Sequence, residues 1–435
     1  MVFSELSTRQ KHYLLFAGVY GLASVLLFVI VRLGGIPSSV YDGYFPYADA
    51  MMSGTVPYTD QVFVYGKWNV WEYPPLAYVV LFIPRLFAST PAAYEAAFIV
   101  MTFVVFLIGL YFSERMANNL GYSPFKVMLL YTVAMMLMFE FQVDRFDIIP
   151  AVITLVALSM MIEKRYEWAF MLLAVGTLMK LYPAILIPVL LIYLLSIREY
   201  KHAGISVIVA VITAAIVLGA LLVIGSHPLA FLDYHTERPL EIESLAASII
   251  SFLGLFMNLE ISTVFSFGSD NIVGPLPDSI ASVLLWVMVG LILVVYVWYA
   301  YFAFSKKTEN LRDSSIAMLM TLLVFMLFST VFSGQYMIWA IPAMAFCLLL
   351  LKNKSDSKLI FVLFVVAEVL TQLNFFLNFG LRGEGMDMSA IGIVTVLIRN
   401  VVLLYLLYVL GCLLTEKRPL VPKKLSEHLG AETPE

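Results

Sequence analysis

The sequence predicts an all-α integral membrane protein with about twelve transmembrane helices. Its 435 residues are 62% hydrophobic and only 13% charged, whereas a soluble domain carries about a quarter charged residues. About twelve apolar stretches approach the roughly 20 residues that a helix needs to cross a hydrocarbon core ~30 Å thick. Basic residues concentrate in alternate connections between these stretches, as expected for the cytoplasmic side of a membrane protein.

Composition also excludes several other classes of protein. Cys347 and Cys412 both lie inside apolar runs, so there is no disulfide framework and no thiol-based metal cluster to predict. The formal net charge is only -4, and acidic and basic residues occur in similar numbers. This balance gives no reason to expect a nucleic-acid partner. The first apolar run, residues 13–31, is too long for a signal-peptide core and has no small-residue cleavage site after it. We therefore expect it to be retained as the first helix.

The distribution of basic residues predicts a topology. Two apolar stretches, residues 76–87 and 246–257, are short, and we expect both to lie in the membrane interface. With the N-terminus in the cytoplasm, most basic connections then fall on the cytoplasmic side: Arg9, Lys11, Arg115, Lys126, Lys164, Arg165, Arg198, Lys201, Lys306, Lys307, Arg312, Lys352, Lys354, Lys358, Lys417, Arg418, Lys423 and Lys424. This arrangement gives one multi-pass domain in the cell membrane, residues 1–414, with an outer loop at 41–90 and a cytoplasmic tail at 415–435.

Nearly all polar motifs fall on the outer face in this topology. The long loop after the first helix carries four acidic residues among many aromatic residues: Asp42, Asp49, Asp60 and Glu72. Four further polar segments follow on the same side: residues 140–147, 180–183, 227–244 and 333–336. Acidic, aromatic-rich loops beside interfacial helices suit a site that meets both lipid and water. We therefore expect the functional site on the outer face.

Four motifs occur in order between residues 41 and 244. They are Tyr41-Asp42 with Gly54-x-x-Pro57-Tyr58-x-Asp60 and Glu72-Tyr73-Pro74-Pro75, Arg145-Phe-Asp147-Ile-Ile-Pro150, Gly176 with Lys180-x-Tyr182-Pro183, and Tyr234-His235-x-x-Arg238-Pro239 with Glu243-Ser244. Together they resemble the GT-C superfamily of glycosyltransferases, and most closely the multi-spanning mannosyltransferases that use polyprenyl-phosphate-mannose. Gln335-Tyr336 resembles the family more weakly, and the predicted spans after about residue 280 add little to the resemblance.

The resemblance implies a GT-C-like helical fold with interfacial helices in the first outer loop. It also implies a polyprenyl-phosphate-linked sugar donor, mannose in the most similar enzymes, and a glycolipid or glycan acceptor. The expected catalytic aspartate lies at the start of the first outer loop, a position that Asp42 matches. Many relatives carry an Asp-x-Asp pair there, whereas this chain has Asp42-Gly43-Tyr44. A divalent metal is therefore not supported, and no cofactor is firmly implied.

Such a transfer needs few protein groups. A carboxylate can take the proton of an acceptor hydroxyl as the new bond forms, and Arg or Lys can stabilise the charge on the leaving phosphate. The transition state should resemble an oxocarbenium ion, as in glycosidases. We predict Asp42 as the base, with Asp147 and Asp49 as further candidates, and an inverting reaction.

Basic and polar residues of the matched segments are candidates for substrate binding. Lys180, Arg238 and His235 are expected to contact the donor phosphate. The other candidates are Arg145, Tyr182, Glu243, Gln335 and Tyr336. Each of two residues has an alternative to phosphate binding. Lys180 could instead snorkel from a helix end to the membrane surface, and Arg238 could form an ordinary surface ion pair.

Structural roles compete at the acidic positions. Asp42 could be the N-cap of an interfacial helix spanning residues 43–52, with Asp49 on one face of that helix. Asp147 has Pro150 just inside a span, which also suits an N-cap, and we favour capping there. At Glu72, the two prolines that follow are expected to fix the entry of the chain into an interfacial helix.

Two ion pairs are also predicted. Asp144 and Arg145 are neighbours and could simply pair with one another. Glu368 and Arg399 each lie about ten residues from the outer ends of adjacent spans, where an unpaired charge is expensive. We therefore expect a structural Glu368–Arg399 salt bridge.

Other functions remain open at this level. A transporter or flippase for a lipid or sugar usually has internal repeats and broken helices with polar sites at the midplane. This sequence has no convincing repeat, and its polar residues cluster at one face, so a glycosyltransferase is favoured. A transferase or ligase acting on a different headgroup is the third hypothesis.

Overall fold

The computed structural model describes residues 6–34, 38–236, 238–305, 310–377 and 387–417. The chain forms two compact units, the first made of residues 1–184 and 201–236 and the second of residues 185–200 and 237–435. Helices dominate both units, which confirms the predicted all-α membrane fold. Two small antiparallel sheets accompany them.

The first unit carries the candidate site. Its described elements are α1 (Thr8–Gly34), a π-helical turn (Val40–Tyr44), α2 (Phe45–Met52), β1 (Val62–Val64), β2 (Lys67–Asn69), α3 (Pro75–Arg85), α4 (Pro91–Leu120), α5 (Pro124–Leu137), α6 (Phe139–Asp144), α7 (Ile148–Ile162), α8 (Tyr166–Thr177), α10 (Tyr200–Val223) and α11 (Phe231–Thr236).

The second unit contains the remaining elements. A 3-10 turn (Tyr182–Leu186) begins in the first unit and ends in the second. The other elements are α9 (Ile187–Ser196), β3 (Leu240–Glu241), α12 (Leu245–Gly254), β4 (Ser262–Ser266), β5 (Ser269–Val273), α13 (Pro275–Ser305), α14 (Asn310–Leu327), a 3-10 turn (Gly334–Tyr336), α15 (Met337–Leu350), α16 (Lys354–Phe375) and α17 (Ala390–Leu414). The strands form one sheet in the order β3-β5-β4.

Local sequence sets the ends of the longest helix in the first unit. Before α4, the Thr90 side chain accepts a hydrogen bond from the Ala93 amide, which satisfies one of the free donors of the first turn. Pro91 occupies the first helical position, where its missing N–H is not needed. Gly121 ends the helix at a φ of 75°, a conformation that glycine adopts without steric penalty.

Six described helices are long and apolar enough to cross a membrane: α1, α4, α10, α13, α16 and α17. The integral membrane class is thus confirmed. Six shorter apolar helical segments accompany them, so the count of twelve spans stays a prediction. The two stretches expected in the interface form α3 and α12, with 11 and 10 residues. Each is only about 15 Å long, too short for a core ~30 Å thick.

The segment of residues 41–90 is a packed aromatic structure. Tyr47, Trp71 and Tyr78 are buried, with ring centroids 4.7 Å apart for Trp71 and Tyr78 and 5.2 Å apart for Tyr47 and Trp71. The Trp71 indole donates to the Asp60 carbonyl at 2.7 Å, and the Tyr47 hydroxyl donates to the Val70 carbonyl at 2.8 Å. The indole N–H and the hydroxyl thus both have hydrogen-bond partners. The segment therefore has a packed core that can hold a site in place.

The two ends of the first unit carry different sets of charges. At one end, Arg9 pairs with Glu114 at 2.8 Å, and Arg115 pairs with Glu163. Glu163 directly follows α7, whereas Asp147 directly precedes it. Asp147 therefore lies at the end of α7 opposite to these pairs.

The predicted Glu368–Arg399 salt bridge is wrong. Arg399 of α17 instead pairs with Glu243, at 2.6 Å between Nη1 and Oε2, and donates to the Glu243 carbonyl at 2.5 Å. Its guanidinium also lies 4.2 Å from the ring centroid of Phe332. Within the described part of the chain, neither carboxylate oxygen of the buried Glu368 has a hydrogen-bond partner.

Candidate active site

Asp42 lies inside the π-helical turn Val40–Tyr44 that leads into α2. Its amide donates to the Ser38 carbonyl at 2.8 Å, and its carbonyl accepts from the Tyr65 amide at 3.3 Å. The N-cap position of α2 is Tyr44, so the alternative prediction that Asp42 caps this helix is wrong. The carboxylate is half-buried, and no side chain among the described residues pairs with it. It is available for chemistry.

Gly43 allows the β1–β2 hairpin to pack against this turn. A Cβ at residue 43 would lie 2.2 Å from the Tyr65 hydroxyl oxygen, so no larger residue fits without movement. Tyr65 and Gly66 form the hairpin turn with φ values of 51° and 74°, as a two-residue type I′ turn requires. The residue between Asp42 and Tyr44 is thus a glycine with a packing role.

Asp144 ties the connection between α6 and α7 to the Asp42 turn. Its Oδ1 accepts from the Ser38 hydroxyl at 2.9 Å and from the Ser39 amide at 2.8 Å. Its Oδ2 accepts from Arg145 Nη1 at 2.6 Å, which confirms the predicted pairing of these neighbours. With three hydrogen bonds, Asp144 holds Arg145 and the Asp42 turn in one assembly.

Lys180 and Asp147 form a buried pair. Lys180 Nζ lies 3.4 Å from Asp147 Oδ1, and their side chains are 13% and 0% exposed. The ammonium also lies 4.8 Å and 4.7 Å from the ring centroids of Tyr73 and Phe146, a cation–π arrangement. Burial lowers the pKa of Lys180, and the Asp147 carboxylate opposes this shift. Lys180 is therefore not a snorkelling residue.

The capping role favoured for Asp147 is wrong. Asp147 occupies the N-cap position of α7, but its side chain accepts no capping hydrogen bond from the helix. Because the side chain is fully buried beside a lysine, its interaction with that cation replaces the cap. A sequence pattern of Asp before an apolar helix does not reveal such a partner.

Two other contacts join the matched motifs. The Leu76 amide donates to the Leu178 carbonyl at 2.7 Å, which links the Glu72-Tyr-Pro-Pro motif to the segment that carries Lys180. Glu72 Oε2 accepts from the Tyr234 hydroxyl at 2.6 Å. The hydroxyl of Tyr182 lies 3.2 Å from Thr154 Oγ1 in a buried contact, so Tyr182 packs against α7. Parts of all four motifs thus meet in the first unit.

The charges at this site perturb one another. Burial raises the pKa of Glu140, in α6, from 4.5 to about 8, with a further contribution from the Asp144 carboxylate and an opposing one from Arg145. Burial also raises the pKa of Tyr73. The site is therefore partly dehydrated, which strengthens electrostatic interactions within it.

The Asp49 carboxylate forms an ion pair with an arginine. It lies on α2 and pairs with Arg85 of α3 at 2.9 Å. Arg85 also donates to the Ala88 carbonyl at 3.1 Å. This ion pair links the two short helices α2 and α3, which is a structural role.

The other predicted site residues lie mainly in the second unit. Arg238 donates to the Phe267 carbonyl at 3.0 Å and to Ser269 Oγ at 2.8 Å, at the turn between β4 and β5. Glu243 is buried in its pair with Arg399, and the ring of Tyr336 stacks on Trp339 at 3.7 Å while Gln335 is half-buried. The side chain of His235 lies outside the described residues. No group of three or more His, Cys, Asp or Glu residues in the described ranges could hold a metal ion.

Sequence reasoning missed several members of the site. Tyr73 and Phe146, which flank Lys180, lie inside the quoted motifs beside Glu72 and Arg145. An aromatic residue next to a charged motif residue was a signal that could have found them. Ser38 and Ser39 carried no such signal, because their role depends on a contact with a residue about a hundred positions later.

The fold and the site define a polytopic membrane glycosyltransferase of the GT-C type. The family model of glycosyltransferase family 87 matches residues 71–330, about three fifths of the chain, and the chain belongs to this family. No curated protein is significantly similar to the sequence. The predicted GT-C resemblance is thus confirmed. Lys180 and Asp147 lie within the matched region, and Asp42 precedes it.

Proposed function

We propose that the protein transfers mannose from a polyprenyl-phosphate-linked donor to a hydroxyl of a glycolipid or glycan acceptor. In this proposal the site faces the outer side of the membrane and the reaction inverts the anomeric centre. Family membership supports glycosyl transfer. Mannose and the polyprenyl carrier are proposed from the resemblance of the motifs. The observation that supports a phosphate-linked donor and a carboxylate base is the assembly of Arg145, Lys180 and Asp42 through the Asp144 and Asp147 contacts.

Arg145 and Lys180 suit the donor phosphate. Each already has one carboxylate partner, but a guanidinium has five N–H donors and an ammonium has three. The remaining donors of Arg145 can bind phosphate oxygens, and both cations can stabilise the charge that develops when the sugar leaves. Tyr73 and Phe146 keep water from Lys180, which makes its charge more effective.

Asp42 suits the acceptor side. As the acceptor oxygen bonds to the anomeric carbon, its proton passes to the Asp42 carboxylate. The bond between the anomeric carbon and the phosphate oxygen breaks, and its electron pair stays on the phosphate. A phosphate leaving group needs no added proton, so one base and two cations suffice. Attack from the side opposite to the phosphate inverts the centre.

The outer face is proposed from the charges at the two ends of the first unit. Arg9, Arg115 and their partners lie at one end of α7, and Asp147 lies at the other. Basic residues favour the cytoplasmic side, so both termini are cytoplasmic in this proposal. A donor used on the outer side must be carried there on a lipid, because nucleotide sugars are made in the cytosol.

The test is a transfer assay in proteoliposomes with labelled polyprenyl-phosphate-mannose. Asp42→Asn should lower the transfer rate by about 100-fold or more, since it removes the general base, and should still bind the donor. Asp278→Asn, at an exposed aspartate of α13, is the matched control and should transfer normally. Near wild-type transfer by Asp42→Asn would contradict its role, and transfer only from another sugar donor would refute mannose.

Sidedness is tested separately by labelling single cysteines after replacing Cys347 and Cys412. A cysteine at the exposed Thr59 should react with a membrane-impermeant maleimide in intact cells. A cysteine at the exposed Ser123 should react only after permeabilisation. The reverse pattern would place the site in the cytoplasm.

A further inference from the structure

We propose that the exposed face of the β1–β2 hairpin binds a sugar ring of the acceptor, next to the ring that receives the new sugar. This face is formed by Gln61, Phe63, Trp68 and Val70, and we call it the acceptor platform. The inference rests on the proposed function. It makes the preferred acceptor a glycan or glycolipid with at least two sugar units.

The hairpin displays two large aromatic side chains although it has a buried face available. Phe63 and Trp68 are directly opposite each other in the strand register, and they are 53% and 66% exposed. Their ring centroids lie 5.6 Å apart at 71°. Val62 and Val64, on the other face, are buried, as the alternation of a strand requires. The aromatic pair is thus not part of the core and is free to contact a ligand.

The platform is held at a fixed position relative to Asp42. The Tyr65 amide at the hairpin turn donates to the Asp42 carbonyl at 3.3 Å. The Asn69 side chain donates to the Val64 carbonyl at 2.8 Å, and the Tyr47 hydroxyl donates to the Val70 carbonyl. Phe63 is two residues, or ~7 Å, from Tyr65 along the strand. An acceptor whose reacting hydroxyl meets Asp42 can therefore lay its neighbouring sugar on the platform.

The chemistry of this face matches a sugar. One face of a pyranose ring presents C–H bonds, which pack well against the electron-rich face of an aromatic ring. Its hydroxyl groups are satisfied by a side chain that both donates and accepts, as the Gln61 amide does. Gln61 is exposed beside the aromatic pair, and so are Thr59 and Asp60 just before it. These polar neighbours favour a face in water over a face buried in lipid, where Trp and Phe are also common.

The kinetic test compares acceptors that carry one and two sugar units. Trp68→Ala and Phe63→Ala should each raise the KM for the two-unit acceptor by up to about tenfold. The kcat and the KM for the one-unit acceptor should not change. Trp168→Ala, at an exposed tryptophan of α8, is the control and should leave both acceptors unaffected. An unchanged KM for the two-unit acceptor in both platform variants would overturn the proposal.

A binding test separates this inference from the proposed function. The fluorescence of Trp68 is taken as the difference between wild type and Trp68→Phe, with two-unit glycan or with vesicles of brominated phospholipid. Protection from an aqueous quencher by the glycan supports the platform even if no transfer is seen. Quenching by the brominated lipid would place the face in the membrane and overturn the platform, while leaving the transfer proposal intact.

Discussion

Lys180 Nζ lies 3.4 Å from Asp147 Oδ1, inside a space closed by the rings of Tyr73 and Phe146. The pair joins the start of α7 to the segment after α8. A buried ion pair gives little net stability by itself, but its partners depend strongly on each other. This dependence makes it possible to separate folding from function at the site.

We expect Asp147→Asn to destabilise the protein by about 3–5 kcal/mol, because it leaves the buried Lys180 charge without this carboxylate. Replacing both residues, as Lys180→Met with Asp147→Leu, should restore stability, since apolar substitutes for a whole buried pair are often tolerated. The double variant should still fail in transfer, because the phosphate has lost a cation. Thermal unfolding in detergent and the transfer assay measure the two effects. Recovery of transfer in the double variant would contradict the role of Lys180.

We expect Gly43→Ala to destabilise the protein by about 1–3 kcal/mol, the usual effect of overpacking. The added Cβ would meet the Tyr65 hydroxyl at 2.2 Å and push the hairpin away from the Asp42 turn. Gly18→Ala is the control, because a Cβ there has no heavy atom within 4 Å. Adding Tyr65→Ala to Gly43→Ala should recover much of the lost melting temperature. A normal melting temperature for Gly43→Ala alone would show that the hairpin is not held there.

Substitutions of Arg399 and of Glu368 should have different effects on the stability of the protein. Arg399→Met leaves Glu243 buried without its partner, so we expect a loss of about 3–5 kcal/mol. Glu368→Leu removes a buried carboxylate that has no described hydrogen-bond partner and should leave stability unchanged or raise it. Melting temperatures of the two variants decide the matter. Equal destabilisation by both would instead support the structural Glu368–Arg399 pairing that the sequence predicted.

Glu140 should make stability depend on pH. Its pKa is raised from 4.5 to about 8 in the folded protein, so between these values the folded state holds a proton that the unfolded state has lost. Stability should therefore fall as pH rises from about 4.5 to about 8. Melting temperatures measured from pH 5 to 9 should fall less in Glu140→Gln than in wild type. Parallel curves for the two proteins would show that Glu140 is not protonated in the fold.

Some features could be predicted from sequence because they depend on composition and length. The membrane class follows from the apolar runs. The short lengths of residues 76–87 and 246–257 correctly anticipated α3 and α12. The neighbouring pair Asp144–Arg145 was also accessible, because it needs no knowledge of the tertiary fold.

Other features depend on contacts that a sequence does not display. Depth in the membrane suggested that Glu368 and Arg399 are close, but depth does not tell which side of a helix a residue occupies. The actual partner of Arg399 is Glu243, 156 positions earlier. The alternative N-cap role of Asp42 was wrong because no sequence pattern signals the π-helical turn that contains it.

The shortness of α7 has a consequence for where the reaction takes place. Its 15 residues extend only ~22 Å, less than the ~30 Å depth of the hydrocarbon core, and the 12 residues of α8 extend less. If Glu163 lies at one surface of the membrane, Asp147 and its partner Lys180 lie several ångströms beneath the opposite surface. In the proposed function, the donor phosphate therefore meets Lys180 below the level of the lipid headgroups.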